Sequence, residues 1–431
     1  MSSVTNTAPT KIRCKNCGAE FLQDEDQCPA CGRARTGRSS QIVLALTLVL
    51  IFAGFGLTQY LVNLHRETES ALAQRWFTRG EQAMQARLPA VAADDYRTAL
   101  SYAPENRQYR LRLAQALLAA NRLNESRAHL TSLWEQEPAD GEVNITLARL
   151  YVRHGDYSNA VRYYGNAING VWPEEPRAHR IATRFELADF LLQQHKLAQA
   201  QAELVAIQAD GPTDAADQLL LGNLLLQVNE PKRAADAFDA VLQRDPQSAQ
   251  AWLGKAQASL ALADYKDAEH GLANAVDRDP KLDDARQQLA VVREVLELNP
   301  AARGLSVAER SRRAADAFQA AMLRLNGCAT QLGASFPGQS STPASTGAAP
   351  SAQSAAANSA AADALERLYT RGVQLQPSAT GPALRKNPDA LEPTMQFVFD
   401  VERATAPICT QLATADRALL ILAQHEAEAV K

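Results

Sequence analysis

Apolar and polar positions fall into three rhythms along the chain. From Ile42 to Val62 the sequence IVLALTLVLIFAGFGLTQYLV carries no charge and shows no polar face. At 1.5 Å per residue this run covers about 30 Å, the thickness of a hydrocarbon core. A cleaved signal peptide begins with a short basic segment and has a shorter apolar run. Here a cysteine-rich segment precedes the run, so an uncleaved transmembrane helix over 42–63 is expected. From 70 to 300 the rhythm becomes helical and repetitive. Prolines fall at Pro104, Pro138, Pro173, Pro212, Pro246 and Pro280, mostly 34 or 35 residues apart, with about five more between Pro173 and Pro212. Beyond 300 a further helix is expected over 301–332. Residues 333–361 are rich in Ser, Ala, Pro and Gly without period and read as a disordered linker. Residues 362–431 read as terminal helices, broken near Pro407.

A fixed period of this length marks stacked supersecondary units. Each unit reads as two antiparallel helices. A small residue in the first helix (Gly80, Ala114, Ala148, Ala188, Gly222, Ala256) lets its partner approach. A ring or leucine in the second (Tyr96, Leu130, Tyr164, Leu204, Phe238, Leu272) fills the gap, and the proline ends the pair. With Trp76, Gly80, Ala92, Tyr96, Ala99 and Pro104 in the first unit, and Leu221, Gly222, Ala234, Phe238 and Pro246 in the fifth, the pattern resembles the tetratricopeptide repeat. The second unit departs most, with Arg110 and Ser126 where an aromatic and a small residue are usual. Six units and a seventh first helix, Asp283 to Leu298, follow one another.

The resemblance implies an all-α solenoid whose first helices line a groove that binds a peptide or helix. The family's ligand-facing positions give an apolar line, Phe77, Leu111, Ile145, Phe185, Leu219 and Leu253. They also give a polar line, Glu81, Gln115, Arg149, Asp189, Asn223 and Gln257. The apolar line suits either a partner or the chain's own packing. No lysine or asparagine cluster recurs there, unlike the basic carboxylate clamp of chaperone-binding relatives.

Four of the six cysteines stand in two knuckles, Cys14-Lys15-Asn16-Cys17-Gly18 and Cys28-Pro29-Ala30-Cys31-Gly32. Two C-x-x-C turns, each closed by glycine, offer four thiolates in the tetrahedral set that suits structural Zn2+. Haem attachment would need a histidine after the second cysteine. Residues 12–33 resemble the short zinc ribbons found at the N-termini of bacterial membrane proteins, with Phe21 as the apolar anchor. Four thiolates leave no open coordination position, so a catalytic metal is not expected. Ribbons bind protein, RNA or DNA, and some merely fold. Cys328 and Cys409 lie far downstream and suit either a disulfide or two buried thiols.

Charge sets the orientation. Lys11, Arg13, Lys15, Arg33, Arg35 and Arg38 precede the apolar run, while Arg66 is followed by Glu67 and Glu69. By the positive-inside rule the N-terminus is cytoplasmic. The repeats are then expected outside an inner membrane that the chain crosses once, in the periplasm or an equivalent extracytoplasmic space. A net charge of −4 offers nucleic acid no basic surface. No nucleophile elbow, H-E-x-x-H, phosphate loop or dinucleotide fingerprint occurs, so neither catalysis nor a small-molecule substrate is expected. The expected order is a disordered start (1–11), zinc ribbon (12–33), basic linker (34–41), membrane helix (42–63), solenoid (70–300), capping helix (301–332), linker and terminal helices. The expected role is a membrane-anchored scaffold or assembly factor. Its rivals are a regulatory adaptor or sensor working through the zinc head, and an unfamiliar activity in residues 303–431.

Overall fold

The computed structural model describes residues 10–34, 38–212, 214–332, 336 and 352–429. Most of the expected start (1–11) and of the 333–361 linker, together with Arg35, lies outside them. The chain divides into two compact units, Met1–Gly170 and Val171–Lys431.

The first unit opens with an antiparallel hairpin, β1 (Lys11–Arg13) and β2 (Glu20–Leu22), in which Ile12 faces Phe21. Helix α1 (Arg38–Gln85) follows. It carries the apolar run and, without a break, the first helix of the first repeat. No proline interrupts it, and its side chains from Ile42 to Thr68 are exposed. Tertiary packing begins at Ala73 and Phe77, which are buried against α2 (Pro89–Tyr102). Helices α3 (Arg107–Ala119), α4 (Leu123–Gln136), α5 (Gly141–His154) and α6 (Tyr157–Ile168) complete the unit.

The second unit continues as α7 (Pro176–Gln193), α8 (Leu197–Asp210), α9 (Ala215–Gln227), α10 (Pro231–Leu242), α11 (Ala249–Ala261) and α12 (Tyr265–Arg278). A single helix, α13 (Asp283–Leu298), follows. Helices α14 (Val307–Gln331), α15 (Ala352–Leu375), α16 (Gly381–Lys386), α17 (Leu391–Thr405) and α18 (Thr414–Ala429) then form a bundle. The bundle shares one apolar core with α12 and α13, built around Leu272, Val295, Phe318, Phe397 and Leu419. Helix α15 starts at Ala352, inside the stretch expected to be a structureless linker. Its alanine runs, 355–357 and 360–362, carry the highest helix propensity of any residue, and that outweighs the intervening Ser and Asn.

Inside each pair the size complementarity is direct. Tyr96, Leu130, Tyr164, Leu204, Phe238 and Leu272 are all buried. A Cβ placed on Gly80 would fall 2.6 Å from the Tyr96 ring, and one on Gly222 would fall 2.6 Å from Phe238. Each turn between paired helices places one residue in the left-handed region: Arg87, Asn121, Gly155, His195, Asn229 and Ala263. The next N–H returns to a carbonyl five residues back, as in Leu88 to Ala83 (2.9 Å), Arg122 to Leu117 (2.8 Å) and Asp264 to Ser259 (2.9 Å). This is the Schellman closure, which satisfies the helix's last carbonyls and reverses the chain. First helices are capped by Asn106, Asp140, Asp214 and Ser248, whose side chains accept an amide of the first turn.

Candidate functional site

The hairpin positions the first cysteine knuckle. Cys14 leaves β1, its amide donates to Ala19 O (2.8 Å), and Gly18 N donates back to Cys14 O (2.9 Å). Gly18 has φ +78°, a conformation that β-carbon residues resist. The second knuckle repeats the device: Gly32, at φ +66°, donates to Cys28 O (2.8 Å). The four Sγ atoms lie within 4.8 Å of one another. Cys14–Cys31 is 3.7 Å and Cys17–Cys28 is 3.5 Å. Four sulfurs at the usual 2.3 Å from zinc form a tetrahedron with edges of about 3.8 Å, so this donor set fits the ion in size and chemistry. The backbone amides of Cys17 and Asn16 hold the Cys14 thiol down at about 6, and the Arg33 amide lowers Cys31. Asn16 Nδ2 approaches Cys31 Sγ (3.9 Å), and Arg33 donates to Asn16 Oδ1 (2.6 Å), which orients that amide. Phe21 and Cys28 are the two buried residues among the described residues of this segment.

In the first unit Phe77, Leu111 and Ile145 are buried between helices. Phe77 stacks on Tyr109, their centroids 4.7 Å apart. The half-buried part of this face is polar and linked. Tyr96 donates to Glu81 (2.5 Å), and Glu81 pairs with Arg112 (3.6 Å). Arg112 donates to Gln115 (2.8 Å) and Glu142 (3.4 Å). Gln115 donates in turn to Glu142 (3.1 Å) and Thr146 (3.4 Å). Arg149 is exposed at the end of the same face. Arg112 and Glu142 escaped the sequence reading. Each lies three residues from a residue already singled out, Gln115 and Ile145, which is the spacing that puts side chains on one helical face.

In the second unit Phe185 is buried, while Leu219 and Leu253 are half-buried. Asp189 and Asn223 are exposed and Gln257 half-buried; Asp189 accepts from Gln193 (2.8 Å). In the terminal bundle Cys328 and Cys409 are joined as a disulfide, their Cα atoms 5.7 Å apart. Beside it Arg324 is buried, donating to Gln411 O (2.6 Å) and Cys409 O and facing Asp416 (3.7 Å). Glu402 is fully buried there, and neither carboxylate oxygen has a hydrogen-bond partner among the described residues.

Paired helices at this period, closed by Schellman turns and packed small against large, define an α-solenoid of a protein-interaction class. Two family models described as tetratricopeptide repeats match residues 83–150 and 219–283, and the repeats of this chain are tetratricopeptide repeats. No curated protein matches the chain by sequence. Among solved structures, YrrB, described as a TPR protein with an unusual peptide-binding site, is 18% identical; the match covers 46% of this chain and 98% of that one at a TM-score of 0.36. PilF of Pseudomonas aeruginosa is 16% identical over 52% of this chain and 99% of its own, at 0.38. PilW, described as a widely conserved type IV pilus biogenesis factor, is 16% identical over 50% and 98%, at 0.37. Likeness at this level adds no argument to the helix packing and the two family models.

Proposed function

We propose that the protein is a membrane-anchored interaction scaffold. Its zinc-bearing head is cytoplasmic, and its repeats hold a partner's peptide or helix on the extracytoplasmic side of an inner membrane. The observation that carries this reading is α1, one helix serving both as the apolar run and as the first packed helix of the repeats. A span continuous with the array fixes the array beside the bilayer and raises the effective concentration of membrane partners there. The cysteines support the two-compartment arrangement. Four free thiols precede α1 and a disulfide follows it, as a reducing and an oxidising side would require. In the head, Cys14, Cys17, Cys28 and Cys31 would hold Zn2+ as a fold-stabilising ion.

In the first unit the exposed Arg149 and the half-buried Glu81 and Gln115 would offer contacts to a partner; in the second the exposed Asp189 and Asn223 and the half-buried Leu219, Leu253 and Gln257 would do so. Phe77, Leu111 and Ile145 in the first unit, and Phe185 in the second, are buried and would support them from within. The cysteine cluster favours a second reading, an adaptor that passes a signal from a cytoplasmic partner.

The decisive experiment is membrane crosslinking and capture of the full chain, alongside thiol-labelling topology. The scaffold requires extracytoplasmic labelling of the repeats, and envelope partners that are lost with Arg149→Glu or Asn223→Arg. Capture of cytoplasmic proteins alone, abolished by Cys14→Ser with Cys17→Ser, would replace it with the adaptor.

A further inference from the structure

We propose that α18, which lies outside the repeats, joins α13 to form a preformed pocket for one bulky uncharged side chain of a partner's extended peptide. The pocket deepens the protein-binding reading above and rests on it.

Register supplies the first argument. One period beyond Leu253 and Gln257 stand Gln287 and Val291. The face of α13 that continues both groove lines therefore carries these two residues. Both line a cavity of about 390 Å³, and its opposite wall is α18, through Leu420, Ile421 and Gln424. A cavity of this size falls within the range of ligand pockets, roughly 300–1,000 Å³.

The lining names the guest. Val291 and Val292 are buried and, with Leu260 and Ile421, offer an apolar seat. Gln287 and Gln424 are exposed and Gln288 half-buried at its margin. No hydrogen bond among the described residues engages these three amides. A glutamine amide both donates and accepts, which is what the unpaired main chain of an extended peptide requires. Asp284 and Arg417 contribute one charge of each sign, so the lining is neutral and favours an uncharged segment.

The wall is also held in place, which lowers the ordering cost of binding. Near its start, α18 is tied by Asp416 to Arg324 (3.7 Å), which also grips the carbonyls of Cys409 and Gln411. Near its end, His425 Nδ1 and Tyr265 OH are 2.6 Å apart.

The test uses the detergent-solubilised full chain and capped single residues, which carry two peptide groups and one side chain. N-acetyl-phenylalanine methylamide is titrated by ligand-observed NMR against its alanine, glutamate and lysine counterparts. The phenylalanine probe should bind on the order of tenfold tighter than alanine, from the apolar surface it buries, and tighter than either charged probe. Ile421→Trp, which fills the cavity, should abolish binding with the helical signal and melting unchanged. Gln288→Trp serves the same purpose if Ile421→Trp does not fold. Gln287→Ala should weaken binding severalfold.

Equal binding of the phenylalanine and alanine probes, or binding that survives a folded Trp variant, overturns the pocket. Partner capture that persists after such a failure, still sensitive to Asn223→Arg, leaves the scaffold standing. Probe binding without any envelope partner leaves the pocket and removes the scaffold.

Discussion

Ala263 has φ +56° at the turn between α11 and α12. The equivalent position in the third repeat is Gly155. A Cβ in this region clashes with the neighbouring carbonyl, and glycine does not. Ala263→Gly should relieve a left-handed penalty of about 1–2 kcal/mol, offset in part by glycine's greater freedom in the unfolded chain, and so raise the denaturant midpoint of the repeats. A second repeated device joins residues that look unrelated. Arg110, Asn144, Gln218 and Trp252 each donate a side-chain N–H to the carbonyl of the proline six residues before, at 2.8, 2.8, 2.8 and 3.0 Å. Size matching alone makes Arg110 a departure from the repeat; hydrogen-bond chemistry makes it equivalent to tryptophan. Ser126 likewise fits, fully buried with its hydroxyl donating to Ala114 O (2.7 Å).

Glu402 behaves differently. Burial first, then the nearby charge of Asp416, pushes its carboxyl up from 4.5 to about 8, although Arg324 opposes this. Between those pH values the folded chain keeps a proton that the unfolded chain has lost. Stability should therefore fall as pH rises from about 4.5 to about 8, then level off. Glu402→Gln should remove that slope and raise stability at pH 8 and above, by an amount on the order of a few kcal/mol. Chemical denaturation across pH, comparing the two proteins, checks it.

Among the helices, α1 combines a packed end and an unpacked one. The residues between the apolar run and Ala73 make almost no tertiary contact, being exposed apart from the half-buried Glu69. Glu67→Pro should break the helix locally yet leave thermal melting of the repeats unchanged, because no packed surface is lost. Phe238 is the opposite case. Its ring is fully buried and meets Gly222 on α9 and Gly254 on α11. Phe238→Ala should cost about 3–5 kcal/mol and loosen repeats five and six together, since neighbouring repeats stabilise one another. Hydrogen exchange should show protection falling in α9, α10 and α11. In the terminal bundle, Cys409→Ser should lower stability by about 2–4 kcal/mol through the freed loop, measured by denaturation without reductant.

At the scale of the molecule, the proposed Zn2+ would make the fold of the cysteine head depend on an ion, while the helical repeats would not. A strong chelator should unfold the cysteine head while leaving the helical signal of the repeats intact. After cobalt substitution, thiolate-to-cobalt charge-transfer bands would report sulfur ligation, and intense ligand-field bands would report a tetrahedral site.

The repeat period, the paired helices, the apolar run and the two cysteine knuckles are all legible in one dimension, because each depends on residues a fixed short distance apart. Helical spacing and the 34-residue period place Gly80 beside Tyr96 and Gly222 beside Phe238 without any long-range information. Burial of Phe77, Leu111, Ile145 and Phe185 was not legible. Whether an apolar residue on an inner face meets solvent or a neighbouring helix depends on how closely adjacent repeats stack. The union of the apolar run and the first repeat in a single helix follows from the absence of any breaker, a negative signal that is easily passed over. The pocket between α13 and α18 arises only in three dimensions. It joins residues more than a hundred positions apart, brought together by the burial of one shared core.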